Sequence, residues 1–225
     1  MCSFLLKVIK IKLVYICKEM SISILNTGTA NISSLIRCLK KIGINPILTK
    51  DIDECISSSN KIILPGIGNM KYLINFKKKL GTKLLNFTNS ENKYLLGICV
   101  GAQVMMDYSE ESGDENFCLI NGNCKKIFDL TKINLNVGYR KIIHTKKKHP
   151  LSTKLFENIP TNSKFYFLHK YYIFSTDDNA YTLKTSLTNK EFDCLLIKKN
   201  LIAVQFHPEL SKKPGELFLK NFSEL

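Results

Sequence analysis

The chain has 225 residues, 44% of them hydrophobic and 23% charged, a balance that suits one compact α/β domain and excludes a disordered tail protein. Lysine and arginine total 33 against 19 acidic residues, giving a net charge of +14, yet Arg37 and Arg140 are the only arginines. Scattered lysines are solvated point charges rather than the planar donors that read phosphates and bases, so a solvated basic surface is expected and nucleic acid is not a partner.

No apolar stretch reaches the roughly 18–20 residues needed to cross a bilayer. The best candidate, residues 4–17, is interrupted by Lys7, Lys10 and Lys12 and lacks a small-residue cleavage pattern, so neither a membrane nor a secretory destination is expected. The 8 cysteines include no CxxC pair, which places the chain in a reducing, cytoplasmic compartment. Cys118 and Cys124 with His144 and His149 match no standard ligand spacing, so no metal site is expected.

Residues 1–19 alternate apolar side chains and lysines without a turn signal before Met20 offers a second beginning. They are expected to be an N-terminal extension or an added edge strand, with one domain over 20–225. Ile22 to Leu25 predicts a strand. Ile32, Leu35, Ile36, Leu39 and Ile42 then recur at helical spacing until Gly43 stops them. Pro46 to Leu48 predicts a short strand, Asp51 can cap a brief helix, and Lys61 to Leu64 predicts a third strand running into Pro65-Gly66-Ile67-Gly68. A lysine-rich helix extends to about Phe87, Tyr94 to Ile98 is a strand, and a helix is predicted from Val100 to about Tyr108. Alternation of this kind implies a mostly parallel central sheet with helices on both faces. The C-terminal half is strand-rich: Phe165 to Phe174, Tyr181 to Thr185, Cys194 to Lys198 and Leu201 to Phe206, with Lys199-Asn200 as a hairpin tip. Pro214 is expected to open a last amphipathic helix reaching Phe222.

Gly97-Ile98-Cys99-Val100-Gly101 has the pattern of a nucleophile elbow with cysteine in place of serine, at a strand-to-helix junction where flanking glycines relieve crowding. A sulfur at a helix N-terminus is favoured as the thiolate. Among the four histidines, His144 and His149 lie in a lysine-rich stretch and His169 follows the strand Phe165 to Leu168. His207 ends a strand within Gln205-Phe206-His207-Pro208-Glu209, where Glu209, two residues on along an extended backbone, can orient the imidazole. At Pro65-Gly66-Ile67-Gly68 the backbone can turn N–H groups inward, so Ile67 and Val100 could together form an oxyanion hole.

These three motifs, in this order, resemble the class I glutamine amidotransferases. Within that superfamily, Asn26 to Asn31, Tyr166 to Tyr172 and Ser211 to Phe222 are similar to the glutaminase subunit of imidazole glycerol phosphate synthase. The resemblance implies that Cys99 attacks the glutamine amide, His207 carries the proton to ammonia and Glu209 orients His207. It implies that Gln103 and the backbone around Gly66, Gly68, Lys170 and Tyr171 hold the substrate, that no cofactor is needed, and that ammonia passes to a (β/α)8-barrel synthase subunit in a heterodimer. The chain departs from the family at Asn26-Thr27-Gly28-Thr29-Ala30-Asn31, where an Asp-Tyr-Gly-x-Gly-Asn turn is usual. It departs again at Leu135-Asn136-Val137-Gly138-Tyr139-Arg140, where Pro-His-x-Gly-Trp-Asn is usual, and at Lys170, which replaces a serine. Both of those segments face the synthase in the family. Alternatives are therefore a paralogue feeding another synthase, such as one amidinating a surface-polysaccharide sugar, a non-catalytic scaffold subunit, and a free-standing γ-glutamyl peptidase.

Overall fold

In a computed structural model of the chain, residues 21–28, 31–66 and 77–225 are described. The expected extension over residues 1–19 lies outside them.

The elements follow in chain order as β1 (Ile22–Leu25), α1 (Ile32–Lys41), β2 (Ile47–Thr49), α2 (Ile52–Ser58), β3 (Lys61–Leu64), α3 (Lys77–Thr88), β4 (Tyr94–Ile98) and α4 (Val100–Gln103). Then come β5 (Tyr108–Ser109), β6 (Asp114–Glu115), β7 (Gly122–Lys126), α5 (Ile127–Thr131), β8 (Asn136–Lys141), α6 (Pro150–Leu155), β9 (Lys164–His169) and β10 (Tyr171–Ser175). The chain closes with β11 (Tyr181–Leu187), β12 (Lys190–Lys198), β13 (Leu201–Val204), a 3-10 turn (Pro208–Leu210) and α7 (Lys212–Ser223).

Helix α1 forms because its apolar residues share one face. Leu35, Cys38 and Leu39 are buried, the Asn31 side chain accepts from the Ser34 N–H at its start, and Gly43 at φ +86° carries the chain past its end. In α2 the Asp51 carboxylate accepts from the Asp53 N–H at 2.8 Å. The main sheet has seven strands in the order β11-β12-β13-β4-β3-β1-β2. The run from β13 to β2 is parallel, and β12 lies antiparallel to both of its neighbours. Strands β1, β3 and β13 are buried at every position, as strands covered on both faces must be.

Three expectations need correction. The helix after Cys99 ends at Gln103 rather than near Tyr108, and the chain then enters a second, four-stranded sheet of order β10-β7-β5-β6. The run Phe165 to Phe174 is two strands broken at Lys170: β9 pairs with β8, whereas β10 pairs with β7 in the second sheet. The last helix starts at Lys212, so Pro214 sits within its first turn rather than opening it.

Phe165, Phe206 and Phe218 pack with ring centroids 4.5–6.2 Å apart and are fully buried, fastening the β8–β9 hairpin to β13 and α7. Each such ring contributes about 1.5–3 kcal/mol of burial. Cys99 follows the carboxyl end of β4 and His207 lies just beyond that of β13. The two strands are parallel neighbours, with Val204 opposite Ile98, so the topology alone brings the sulfur and the imidazole to one edge of the sheet.

Candidate active site

Cys99 has φ 51° and ψ −108°, a conformation that costs an L-residue about 1–3 kcal/mol and that the surrounding backbone enforces. The Cys99 N–H donates to the Val204 carbonyl at 2.8 Å, and the Ala102 and Gln103 N–H groups return to the Cys99 carbonyl. The two glycine motifs explain one another. A Cβ on Gly101 would stand 2.0 Å from the Leu64 carbonyl oxygen, and one on Gly66 would stand 2.3 Å from the Ile98 oxygen and 2.4 Å from the Val100 nitrogen. The end of β3 and the elbow after β4 therefore meet backbone to backbone. Helix α4 is a single turn, so the aligned dipole behind the sulfur is that of a few peptides only.

His207 is fully buried and its Nδ1 lies 2.8 Å from Glu209 Oε1. The pairing does not arise from two residues on one side of a strand. His207 is extended, Pro208 starts the 3-10 turn, and the turn folds Glu209 back onto the ring. His207 Nε2 has no hydrogen-bond partner among the described residues, nor has Glu209 Oε2. Burial opposes the charged imidazolium, but coupling to the Cys99 sulfur and to the Glu209 carboxylate outweighs it and holds the His207 pKa well above its ordinary value. The His207 N–H donates to Tyr166 O at 2.8 Å, and the Ser211 hydroxyl accepts from the Tyr166 N–H and donates to His207 O, which locks the histidine backbone to β9.

The Cys99 thiol donates to the Leu168 carbonyl at 3.7 Å and accepts from Gln205 Nε2 at 3.8 Å. It opens onto a cavity of about 190 Å³ whose wall includes Val100, Gln103, Lys170 and Tyr171, all singled out in the sequence. Gly66 packs against the elbow backbone rather than in that wall, His207 and Glu209 are not part of the wall either, and Ile67 and Gly68 fall outside the described residues. Sequence reasoning missed four further lining residues: Glu111, Leu135, Leu168 and His169. Burial raises the Glu111 pKa and the Lys170 ammonium opposes that shift, so the cavity wall carries one acidic and one basic side chain. A Glu110-Glu111 pair in so acid-poor a chain was the available signal. Gln205, quoted only as part of its motif, is fully buried and its Oε1 accepts from the Ile173 N–H at 3.0 Å and from Gln103 Nε2 at 3.4 Å.

The other candidates separate cleanly. His169 is buried and neutral, its pKa held down to about 3 chiefly by burial. His144 packs edge-on against Phe156, and His149 lies tilted against Tyr181. Burial pushes the Cys38 thiol up to about 11 and Cys55 up to about 12, and raises Cys124 and Cys194 well above the usual thiol range, so these side chains behave as core hydrophobes. Among the described residues no group of three His, Cys, Asp or Glu could hold a metal ion, and no helix is long and apolar enough to cross a membrane.

The Glutamine amidotransferase class-I family model matches residues 23–224. The chain belongs to the class I glutamine amidotransferases. It is 36% identical over 204 residues to the imidazole glycerol phosphate synthase subunit HisH of Pasteurella multocida, covering 91% of this chain and 98% of that protein. It is 35% identical to the protein of the same name from Buchnera aphidicola subsp. Acyrthosiphon pisum, covering 92% and 100%. Among solved structures, PurLQS from Thermotoga maritima superposes with a TM-score of 0.65 at 16% identity, covering 90% of this chain and 96% of that one. One described as a glutamine amidotransferase superposes at 0.66 and 14% identity, covering 91% and 99%. Those last two likenesses concern the fold. Within it, this amidotransferase places its cysteine, histidine and glutamate at the carboxyl edge of the sheet, beside a cavity with charges of both signs.

Proposed function

We propose that this amidotransferase is the glutaminase subunit of an imidazole glycerol phosphate synthase, releasing ammonia from glutamine for a (β/α)8-barrel partner subunit in histidine biosynthesis. The observation that carries the chemistry is the coupling of Cys99, which lines a cavity bearing Glu111 and Lys170, to the buried His207–Glu209 pair. The pathway rests on relatives of that name matched over nearly their whole length.

In this reading the α-ammonium of glutamine faces Glu111, and its α-carboxylate meets Lys170 and the Tyr171 backbone, so that the side-chain amide reaches Cys99. The thiolate attacks the amide carbon, and the oxyanion is held by the N–H groups of Val100 and Ile67. His207, carrying the proton taken from the Cys99 thiol, gives it to the departing nitrogen; ammonia leaves and a γ-glutamyl thioester remains. Neutral His207 then takes a proton from water, which attacks the thioester and restores Cys99, with glutamate as product. Glu209 holds the imidazole in place through both steps. The exposed apolar side chains of Leu135, just before β8, and of Val137 and Tyr139 on β8 form the face on which the synthase subunit docks. Docking there keeps ammonia from bulk water, where it would be protonated and lose its nucleophilicity.

Treatment with a glutamine-mimicking diazoketone, followed by peptide mass spectrometry, tests the site. The expected result is a single adduct on Cys99 that glutamine suppresses; adducts confined to Cys118 or other cysteines would sink the assignment. Rescue of a histidine auxotroph lacking its glutaminase subunit tests the pathway. Copurification with a synthase for a different product would replace it.

A further inference from the structure

A string of buried polar groups runs from the β8 edge to the cavity wall. Arg140 Nε donates to Asn136 Oδ1 at 2.5 Å, Asn136 Nδ2 lies 2.8 Å from His169 Nε2, and His169 Nδ1 lies 2.8 Å from the Tyr171 carbonyl oxygen. That same oxygen accepts from Gln103 Nε2 at 2.7 Å. The two ends are unambiguous in polarity: a guanidinium has no acceptor and a carbonyl has no donor. Between them one assignment is consistent. Asn136 turns its oxygen to Arg140 and its NH₂ to His169, so His169 Nε2 must be a lone pair, and the ring proton sits on Nδ1 and is given to Tyr171. Protonating His169 would set Nε2–H against the Asn136 NH₂, and flipping the amide would set that NH₂ against Arg140. Asn136 is fully enclosed and His169 nearly so, which leaves no water to relieve the first clash, and the second would cost the half-buried guanidinium its acceptor on Asn136.

The string crosses the break between β9 and β10, where Lys170 and Tyr171 line the cavity. Asn136 and Arg140 are two of the four positions, with Leu135 and Tyr139, at which the chain departs from the Pro-His-x-Gly-Trp-Asn pattern. We propose that Arg140, Asn136 and His169 are positioning residues that fix the Lys170–Tyr171 turn and the Gln103 amide for glutamine binding. This rests on the reading of the cavity as the glutamine site.

The test is glutaminase kinetics on the chain together with its copurified partner subunit, comparing wild type, Arg140→Met and Arg140→Lys. Methionine keeps the apolar stem, so the fold survives while Asn136 loses its orienting donor. The expected result is a KM for glutamine raised about tenfold with kcat within about twofold, and partial recovery with lysine, since one hydrogen bond's worth of ordering is lost. The rate of Cys99 alkylation by iodoacetamide should not change. Ring-nitrogen NMR of wild type, with His169 assigned by loss of its signal in His169→Gln, should show the neutral Nδ1–H tautomer. In Asn136→Asp the carboxylate would accept from both sides and the ring should become imidazolium. An unchanged KM in Arg140→Met, or a wild-type His169 protonated on Nε2, overturns the proposal, and the second readout stands even if the variant fails to fold. Wild type that neither hydrolyses glutamine nor takes the diazoketone on Cys99 would instead overturn the site reading.

Discussion

Cys99 and His207 occupy positions that are expensive unless they are used. A left-handed cysteine carries backbone strain, and a histidine held charged while wholly enclosed carries a desolvation penalty that Glu209 and the sulfur must offset. Replacing Cys99 by serine should abolish glutamine hydrolysis in an assay of glutamate release and leave the thermal unfolding midpoint nearly unchanged, because a hydroxyl fills almost the same space. Glu209→Gln keeps the shape and removes the charge. The His207 pKa should fall and kcat should drop about 10²- to 10⁴-fold, as in other triads stripped of their acid. The sign of the accompanying stability effect follows from linkage. Because the His207 pKa is raised on folding, its favourable contribution is complete below the unfolded value of about 6.5 and is lost as pH rises through the folded value. Urea titrations should therefore show the gap between wild type and Glu209→Gln largest near pH 6 and shrinking toward the alkaline side.

At the scale of elements, the interlock between the end of β3 and the elbow after β4 leaves no room for a side chain at Gly101. Gly101→Ala drives a methyl into a backbone oxygen rather than a flexible side chain, so urea denaturation should register a loss of about 3 kcal/mol or more. This interlock also explains what the sequence makes legible. Gly66 and Gly97 to Gly101 are readable because close backbone approach demands glycine whatever the surroundings. The strands β1, β3, β4 and β13 are readable because burial on both faces leaves unbroken apolar runs. The second sheet is not readable, since β5 and β6 have two residues each and two residues carry no period. The break at Lys170 is hidden for a different reason. Phe165 to Phe174 is apolar throughout, and the divergence of its two halves comes from partners remote in sequence, β8 on one side and β7 on the other. Glu111 enters the cavity by the same long-range route, carried there by the turn after β5.

For the molecule as a whole, two surfaces divide the work. The helices cover the central sheet, while the β8–β9 hairpin turns Asn136 and Arg140 inward and leaves Val137 and Tyr139 about two-fifths or more exposed, at 46% and 41%. Alternation along one strand thus separates a wall that supports the cavity from a face that waits for a partner. Val137→Lys should weaken association with the synthase subunit by about tenfold or more in a calorimetric or interferometric titration, while diazoketone labelling of Cys99 in the isolated chain stays unchanged.

The bond from His207 to Tyr166, reinforced on both sides by the Ser211 hydroxyl, has a consequence for how the molecule opens. It ties His207 to the two-stranded ribbon of β8 and β9 instead of leaving it on the central strands alone. The amide protons of Tyr166 and His207 should therefore exchange with deuterium at matching rates, as members of one cooperative unit, and both should slow together when a second protein seals that ribbon. On the proposed mechanism, a fluctuation that peels this ribbon from the body would draw the imidazole away from the sulfur in the same motion, and a bound synthase subunit would suppress it.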